Sequence, residues 1–527
     1  MKYFIQTLGC AMNLSDSERV AAELEKLGHT RAQSGADADL YIFNTCSIRQ
    51  KGEDRVFGKL DDLIVQKRLK SGLLVGLTGC MVRQTSTRNS PREVRDKLVR
   101  DKDSVDFVFR IEDSKNLGKI LEEAAIKPKT VNDKVKRLRR NKGSAQSPQI
   151  FSDTRLDYLG IKPQYASPFQ AFVPIQIGCD KYCTYCIVPY ARGREQSRPM
   201  KEVLAECESL VENGCKEITL VGQTVNSYGR SDLDQKSGAF NNPYRGLPKE
   251  AASGKESANE PFVALLKEID KLHAKGLNRL RFISPHPYDY TDALIKAHKD
   301  LKVLTPHFHI PIQSGSDETL KRMNRRYTAA DYRLLIKKIR ALIPDASVTT
   351  DIIVGFCGET KQDFNKSVKL FKEIKWDMAY LARYSPRPGT VSFRYFKDDV
   401  SHAEKARRWH ALNKVLKKCA RDYNKKLVGK TLEVLVEKYD KLTGEYEGRS
   451  RENKTVQFAA VVEKGLAKAK NSGTRLAGTL QEVKVTKALD WSLKGRREAP
   501  KGAERPKKIK NHNINPRNHA HPRIASK

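Results

Sequence analysis

Cys179, Cys183 and Cys186 stand in the order C-x3-C-x2-C, directly after an apolar run at 172–177. Three thiolates on one short loop can hold an iron–sulfur cluster, one ligand short of the usual four. An iron without a protein ligand is an open coordination position, the feature that separates catalytic from structural metal sites. A zinc site or a disulfide framework is the competing reading. Zinc calls for a fourth Cys or a nearby His, and no His lies within the loop. A second set, Cys10, Cys46 and Cys80, recurs at intervals of about 35 residues, each member just after an apolar stretch. One such Cys is ordinarily a small buried hydrophobe. Three in equivalent places predict a second cluster site.

These residues need a scaffold. The stretch 2–8 is apolar and extended, and 40–43 and 73–77 read as strands running into Asn44-Thr45-Cys46 and Thr78-Gly79-Cys80. Between the first two, Ser15 and Glu18 have capping-box spacing, Val20, Leu24 and Leu27 follow at helical intervals, and Gly28 stops the helix. Strand–helix alternation implies a parallel sheet, whose ligands sit at the carboxyl ends of its strands. All three cysteines fall there. From 172 to about 394 the alternation resumes, with strands expected at 172–177, 218–221, 280–283, 308–312, 348–354 and 378–382, and helices such as 200–212 and 262–274. Six units predict a partial version of the eight-unit barrel. Residues 230–260, rich in Gly, Ser, Asn and Asp, read as an insertion. Short strands at 432–436, 455–458 and 478–485 predict a small β-barrel. The expected fold class is therefore α/β, in six parts. These are an N-terminal parallel-sheet domain at 1–126, a basic linker or insert at 127–168 and a partial (β/α)6 barrel at 169–400. A basic helix follows at 401–429, then the small β-barrel at 430–493 and a disordered basic tail at 494–527.

The 527 residues carry a net charge of +36 and a pI near 9.7. Such an excess predicts a polyanionic partner, usually nucleic acid, reached through phosphate contacts and counterion release. No apolar run approaches the ~18 residues of a membrane span, and MKYFIQTLGC lacks a signal-peptide pattern. A cytoplasmic protein without a membrane partner is expected. There, ten cysteines point to metal or catalysis rather than disulfides.

The run VPIQIGCDKYCTYCIVPYARGREQSRP resembles the radical S-adenosylmethionine signature of the methylthiotransferases. TLGCAMNLSDSERV, NTCSIRQKGEDRVFGKL and LTGCMVRQ resemble that family's N-terminal domain, and EITLVGQTVNSYG, HIPIQSGSDETLKRMNRRYT and TDIIVGFCGETKQDF resemble its barrel. The segment from 430 to about 491 resembles its RNA-binding β-barrel, the TRAM domain. The resemblance implies two four-iron, four-sulfur (4Fe-4S) clusters. One, on Cys179, Cys183 and Cys186, binds S-adenosylmethionine through its amino and carboxylate groups and cleaves it to an adenosyl radical. The other, on Cys10, Cys46 and Cys80, carries the sulfur that is methylated and delivered, and a second S-adenosylmethionine supplies the methyl group.

By the same resemblance Gly222 and Gln223 bind the methionine amino group. Ser284, Gln313 and Ser314 lie near the ribose, and Gly355 admits the adenine. Each also has an ordinary reading, since a glycine after a strand usually marks a turn. Arg192 and Arg194 are expected either on phosphate or cofactor, or as solvated surface charge. His286, His307 and His309 read as hydrogen-bonded core residues, and Cys357 stands where the family usually has Pro. GCAMN, CSIRQKGEDRVFGKL and KYCTYCIVPYARGRE look most like the branch that methylthiolates C2 of the isopentenyl-modified adenosine beside the tRNA anticodon. The alternatives are the threonylcarbamoyladenosine branch, the branch acting on a ribosomal-protein aspartate, and, from another class, a noncatalytic iron–sulfur RNA-binding protein. The implied partners are a tRNA anticodon loop and a flavodoxin- or ferredoxin-like electron donor, with the chain a monomer.

Overall fold

A computed structural model describes residues 1–46, 50–70, 72–82, 104–125, 153–230, 261–459 and 476–497. The basic run at 127–142, the insertion from 231 to 260 and the tail beyond 497 lie outside the described residues.

The N-terminal domain is a five-stranded parallel sheet in the order Thr30–Arg31, Lys2–Leu8, Leu40–Thr45, Leu74–Gly79, Phe107–Val108. Every residue of Leu40–Thr45 is buried, as expected of a parallel strand covered on both faces. The register pairs Leu8 with Thr45 and Thr45 with Gly79. The next residues on these strands therefore emerge in one row at one end of the sheet. The first helix, Ala11–Lys26, does not start at Ser15. Cys10 is its N-cap and Asn13 completes the capping box, which leaves Ser15 and Glu18 inside the helix. Asn13 competes successfully because its amide also reaches across to the neighbouring strand, as described below. The C-terminal part of the expected linker is not a solvated connector: Tyr158, Leu159 and Ile161 pack into this domain's core.

The central domain is a barrel open on one side. Its six parallel strands are Gln170–Pro174, Glu217–Val221, Arg279–Phe282, His307–His309, Ser347–Val354 and Met378–Arg383. They form two three-stranded halves, joined where Leu280 bridges Leu304. Apolar faces of the intervening helices, such as Met200–Glu212 and Lys361–Ile374, close one large core around Trp376 and Phe371. The long basic helix His402–Lys425 covers the last strand, where Trp409 donates to the Leu381 carbonyl at 3.0 Å.

A closed five-stranded barrel follows, in the order Thr431–Asp440, Glu445–Ser450, Thr455–Ala459, Leu493–Arg497, Leu480–Ala488. It includes two strands not expected from the sequence. The last one, Leu493–Arg497, takes residues 494–497 out of the predicted tail: Gly495 pairs with both Phe458 and Val485. The barrel docks on the amino ends of the central strands. Fully buried Arg279 donates to the carbonyls of Arg449 and Glu433 at 2.7 and 2.9 Å, and Arg281 to those of Arg451 and Ser450 at 2.9 and 2.8 Å.

Candidate active site

The cysteine loop begins at the carboxyl end of the first barrel strand. Gln176–Ile177 pairs antiparallel with Gln196–Ser197, which closes residues 178–195 into a loop. Gly178, at φ +76°, starts it; a Cβ there would stand 1.9 Å from the Arg194 carbonyl oxygen. Neighbouring strand ends hold the loop rigid. Cys179 Sγ lies 3.2 Å from Thr224 Oγ1, after the second strand. Lys181 Nζ pairs with buried Asp289 at 2.6 Å, after the third. Asn324 donates to the carbonyls of Lys181 and Tyr182 at 3.3 and 3.0 Å, and the Met323 carbonyl accepts from Thr184 N–H at 3.2 Å. Tyr182 sits at φ +46°, a left-handed conformation that persists only where surroundings impose it. Tyr185 packs edge-on to Phe356, with ring centroids 6.3 Å apart, and its hydroxyl accepts from Arg325 at 2.8 Å. Burial pushes the Cys179 thiol up to about 12 and raises that of Cys186 as well. Such thiols keep their protons at neutral pH until a metal replaces them.

Cys10, Cys46 and Cys80 follow the aligned row Leu8–Thr45–Gly79 on three adjacent strands, which in a sheet stand roughly 4.8 Å apart. Side-chain amides tie their loops together. Asn13 donates to Asn44 Oδ1 at 2.8 Å, and Asn44 returns a bond to the Asn13 carbonyl at 2.8 Å and reaches Ser17 Oγ at 3.0 Å. Asn13 Oδ1 accepts from the Cys10 backbone at 3.2 Å and lies 3.3 Å from its sulfur. Gly79 turns at φ +88° directly before Cys80, where a Cβ would come within 2.4 Å of the Thr45 carbonyl oxygen. None of the six cysteines forms a disulfide. Among the described residues, no three Cys, His, Asp or Glu converge on a point where one metal ion would sit. A cluster does not ask for that, since each thiolate takes a different iron. The donor chemistry therefore fits iron–sulfur clusters at both places.

Three observations bear on S-adenosylmethionine. Gln176 is fully buried, and neither its amide nitrogen nor its oxygen has a hydrogen-bond partner among the described residues; Gln223 Oε1 and His286 Nδ1 are in the same state. Buried polar atoms left this way cost roughly 1–3 kcal/mol each, so water or a ligand is needed to complete their bonding. Gly222 lies against Gln176, whose Cγ would be 2.7 Å from a Cβ at that position. Ser284 and Gln313, both just past strands, adopt φ +64° and +73°, conformations that disfavour side-chain-bearing residues.

Two expected contacts are used otherwise. Ser314 is fully buried and its Oγ accepts from Ser316 N–H at 3.2 Å, within a network to Ser367 and Asp363 on the helix Lys361–Ile374. The space beside Gly355 is filled by Lys405, whose Cγ would be 2.3 Å from a Cβ. The close approach at this glycine is made by the basic helix His402–Lys425. Arg192 is not a solvated charge: it is buried and pairs with Asp16 at 2.6 Å, while partly exposed Arg194 pairs with Asp180 at 2.7 Å. His307 and His309 both bond Thr349, at 3.2 and 3.0 Å, so they are hydrogen-bonded as expected, but each is half-buried rather than in the core. His286 differs. Burial, together with Arg325, Lys181 and Arg326, holds its ring far below the usual imidazole range, hence neutral.

Sequence reasoning missed Gln176, the Asn13–Asn44 bridge and Asp289. Gln176 and the two asparagines left a trace, each three or fewer residues from a cluster cysteine, and Asp289 left none.

An open parallel barrel with a three-cysteine loop on its first strand end defines the radical S-adenosylmethionine class, and the Radical SAM superfamily matches residues 173–371. An uncharacterized protein family, UPF0004, matches residues 2–108. A tRNA-2-methylthio-N(6)-dimethylallyladenosine synthase of Dictyoglomus thermophilum is 38% identical over 94% of this chain and 98% of its own. The protein of that name from Caldicellulosiruptor saccharolyticus is 37% identical over 86% of each chain, and that from Neisseria meningitidis 34% identical over 94% of this chain and 99% of its own. The chain belongs to this family of methylthiotransferases.

Proposed function

We propose that this chain is a radical S-adenosylmethionine methylthiotransferase that places a methylthio group on C2 of the isopentenyl-modified adenosine beside the tRNA anticodon. The observation that carries the reading is the pair of cysteine triads, none in a disulfide and each at the carboxyl ends of parallel strands, with Arg192 and Asp16 joined across the junction between them.

Cys179, Cys183 and Cys186 hold one 4Fe-4S cluster, and Cys10, Cys46 and Cys80 hold the other. When bound, the first cluster and its S-adenosylmethionine supply reductive cleavage of a carbon–sulfur bond and removal of hydrogen from an unactivated carbon. The protein's part is to bind, orient and exclude water. Gln176, with Gly222 and Gln223, meets the polar end of the methionine moiety. Ser284 and Gln313 approach the ribose from the next strand ends. Tyr185, Met323 and Phe356, packed as one cluster, keep water from the loop. The Asn13–Asn44 bridge holds the segments that carry Cys10 and Cys46 side by side.

A flavodoxin- or ferredoxin-like donor provides electrons, the small C-terminal barrel acts as a TRAM-like RNA-binding domain, and the enzyme works as a cytoplasmic monomer. No helix among the described residues is long and apolar enough to cross a membrane.

The test is anaerobic reconstitution followed by nucleoside mass spectrometry of tRNA. About eight irons per chain are expected, and about four in either Cys183→Ala or Cys46→Ala. Cys183→Ala should not cleave S-adenosylmethionine; Cys46→Ala should cleave it without transferring sulfur. A methylthiolated product from Cys46→Ala, or a preparation with near-zero iron that still binds RNA tightly, overturns the reading.

A further inference from the structure

A five-residue helix, Val391–Tyr395, lies against the cysteine loop at the mouth of the open barrel. Thr390 caps it, its hydroxyl accepting from Phe393 N–H at 3.3 Å. Buried Ser392 is the anchor. Its N–H donates to the carbonyl of Thr184, the residue between Cys183 and Tyr185, at 2.8 Å, and its Oγ accepts from the Tyr384 hydroxyl at 2.9 Å. Phe396, just past the helix, packs edge-on against Phe356 at 6.1 Å. With positions 392 and 396 turned inward, the three between them face out. Phe393 is 47% exposed and Tyr395 75%, with exposed Arg394 between.

Large aromatic side chains are seldom left in water. Among the described residues Tyr380, Phe393, Tyr395 and Trp491 are the exposed ones, and two of the four share this single turn. The nearby charge is mainly of one sign: residues 383–397 contain Arg383, Arg387, Arg394 and Lys397 and no acid, and the two acids that follow are engaged within the protein, Asp398 by Lys405 Nζ at 2.6 Å and Asp399 by the Gly358 N–H at 2.7 Å. Exposed rings interleaved with cations are what single-stranded nucleic acid requires, rings for the base faces and cations for the phosphates. The small β-barrel cannot make this contact at the cysteine loop. Arg279 and Arg281 hold it at the opposite, amino-terminal ends of the strands.

We propose that Phe393 and Tyr395 form a stacking surface for the unpaired RNA bases that flank the target nucleoside, with Arg394 and Lys397 on their phosphates. This rests on the tRNA reading above and names the surface at the reaction centre that receives the loop.

The test uses the full-length reconstituted protein and an anticodon stem-loop RNA carrying 2-aminopurine next to the target adenosine. The parent should bind and quench the fluorophore. Phe393→Ala and Tyr395→Ala should each weaken binding roughly tenfold and relieve the quenching, whereas Tyr395→Phe, which keeps the ring, stays within about twofold. Arg394→Gln should leave quenching in place and reduce the slope of log affinity against log salt by about 0.7. Iron content and melting temperature report folding. Should Phe393→Ala fold poorly, Phe393→Leu keeps an apolar side chain and still removes the ring. If the parent binds and quenches while the ring-deleted variants match it, the inference is overturned and the tRNA reading stands. If the parent does not bind the stem-loop, the tRNA reading fails and takes the inference with it.

Discussion

Arg192 Nη2 donates to Asp16 Oδ2 at 2.6 Å, and both side chains are buried. Arg192 comes from the loop of Cys179, Cys183 and Cys186; Asp16 lies on the helix that Cys10 caps. The guanidinium is also within electrostatic reach of Cys80, and the Tyr158 hydroxyl donates to Asp16 Oδ1 at 3.1 Å. One ion pair thus links the two cysteine-bearing elements. A second couple reinforces it: fully buried Arg19 reaches Glu206 on the barrel helix at 3.1 Å, and Arg198 meets the same carboxylate at 2.7 Å.

Removing one partner of such a pair leaves an uncompensated buried charge. Arg192→Gln should therefore lose roughly 3–5 kcal/mol of stability, and Arg192→Gln with Asp16→Asn should recover part of that loss. Calorimetry of the two variants beside the parent checks this. The N-terminal domain should melt separately from the barrel in the single variant. A single variant within about 1 kcal/mol of the parent would show that the pair does not hold the junction.

Glu195, beside the same loop, is pushed up to about 7 by burial, and attraction to Lys181 offsets this only in part. Its Oε1 accepts from Ser227 Oγ at 2.5 Å. Between about pH 4.5 and 7 the folded chain keeps a proton that the unfolded chain has lost. Stability therefore falls as pH rises through that window, by up to about 3 kcal/mol, and stays level above it. Glu195→Gln keeps the hydrogen bond and removes the titration. Urea midpoints measured from pH 4.5 to 8 should show the variant gaining on the parent as pH rises. Parallel curves would contradict the assignment.

Much of this arrangement was legible in the chain because parallel strands buried on both faces are runs of apolar residues, and the cysteines follow them. What failed has physical reasons. The sequence pattern of Ser15 and Glu18 satisfies a capping box locally, but Asn13 has a cross-strand partner in Asn44, 31 residues away, that local pattern cannot reveal. The strand Leu493–Arg497 has one fully buried residue, so its basic composition looks like the tail that follows. Arg192 reads as a solvated charge because its partner lies 176 residues upstream. At Gly355 the missing Cβ was understood, but not that Lys405 takes the space. The left-handed backbones of Ser284 and Gln313 leave no signature in residue type at all.

Those backbones support a third prediction. Gln313 at φ +73° costs roughly 1–2 kcal/mol relative to a residue free to adopt it. Gln313→Gly should raise the melting temperature while weakening S-adenosylmethionine binding, a gain in stability set against lost function. Equilibrium binding of the cofactor to the reconstituted enzyme, measured beside thermal unfolding, checks both halves. A variant that is less stable than the parent would mean the strain is not there to be relieved.

The C-terminal boundary can be tested by two truncations four residues apart. Ending the chain at Arg497 removes eight Lys and Arg against two acids and leaves the barrel whole. Ending it at Leu493 also removes the pairing of Gly495 with Phe458 and Val485, and with it the closure of the barrel. The longer product should keep the parent's melting profile and bind tRNA with a flatter salt dependence, because only counterion release has been lost. The shorter one should lose the C-terminal barrel's transition altogether, since the edges it exposes have no other strand to pair with. Binding curves at several salt concentrations, read beside thermal unfolding, separate the two. If both truncations melt like the parent, residues 494–497 belong to the tail after all.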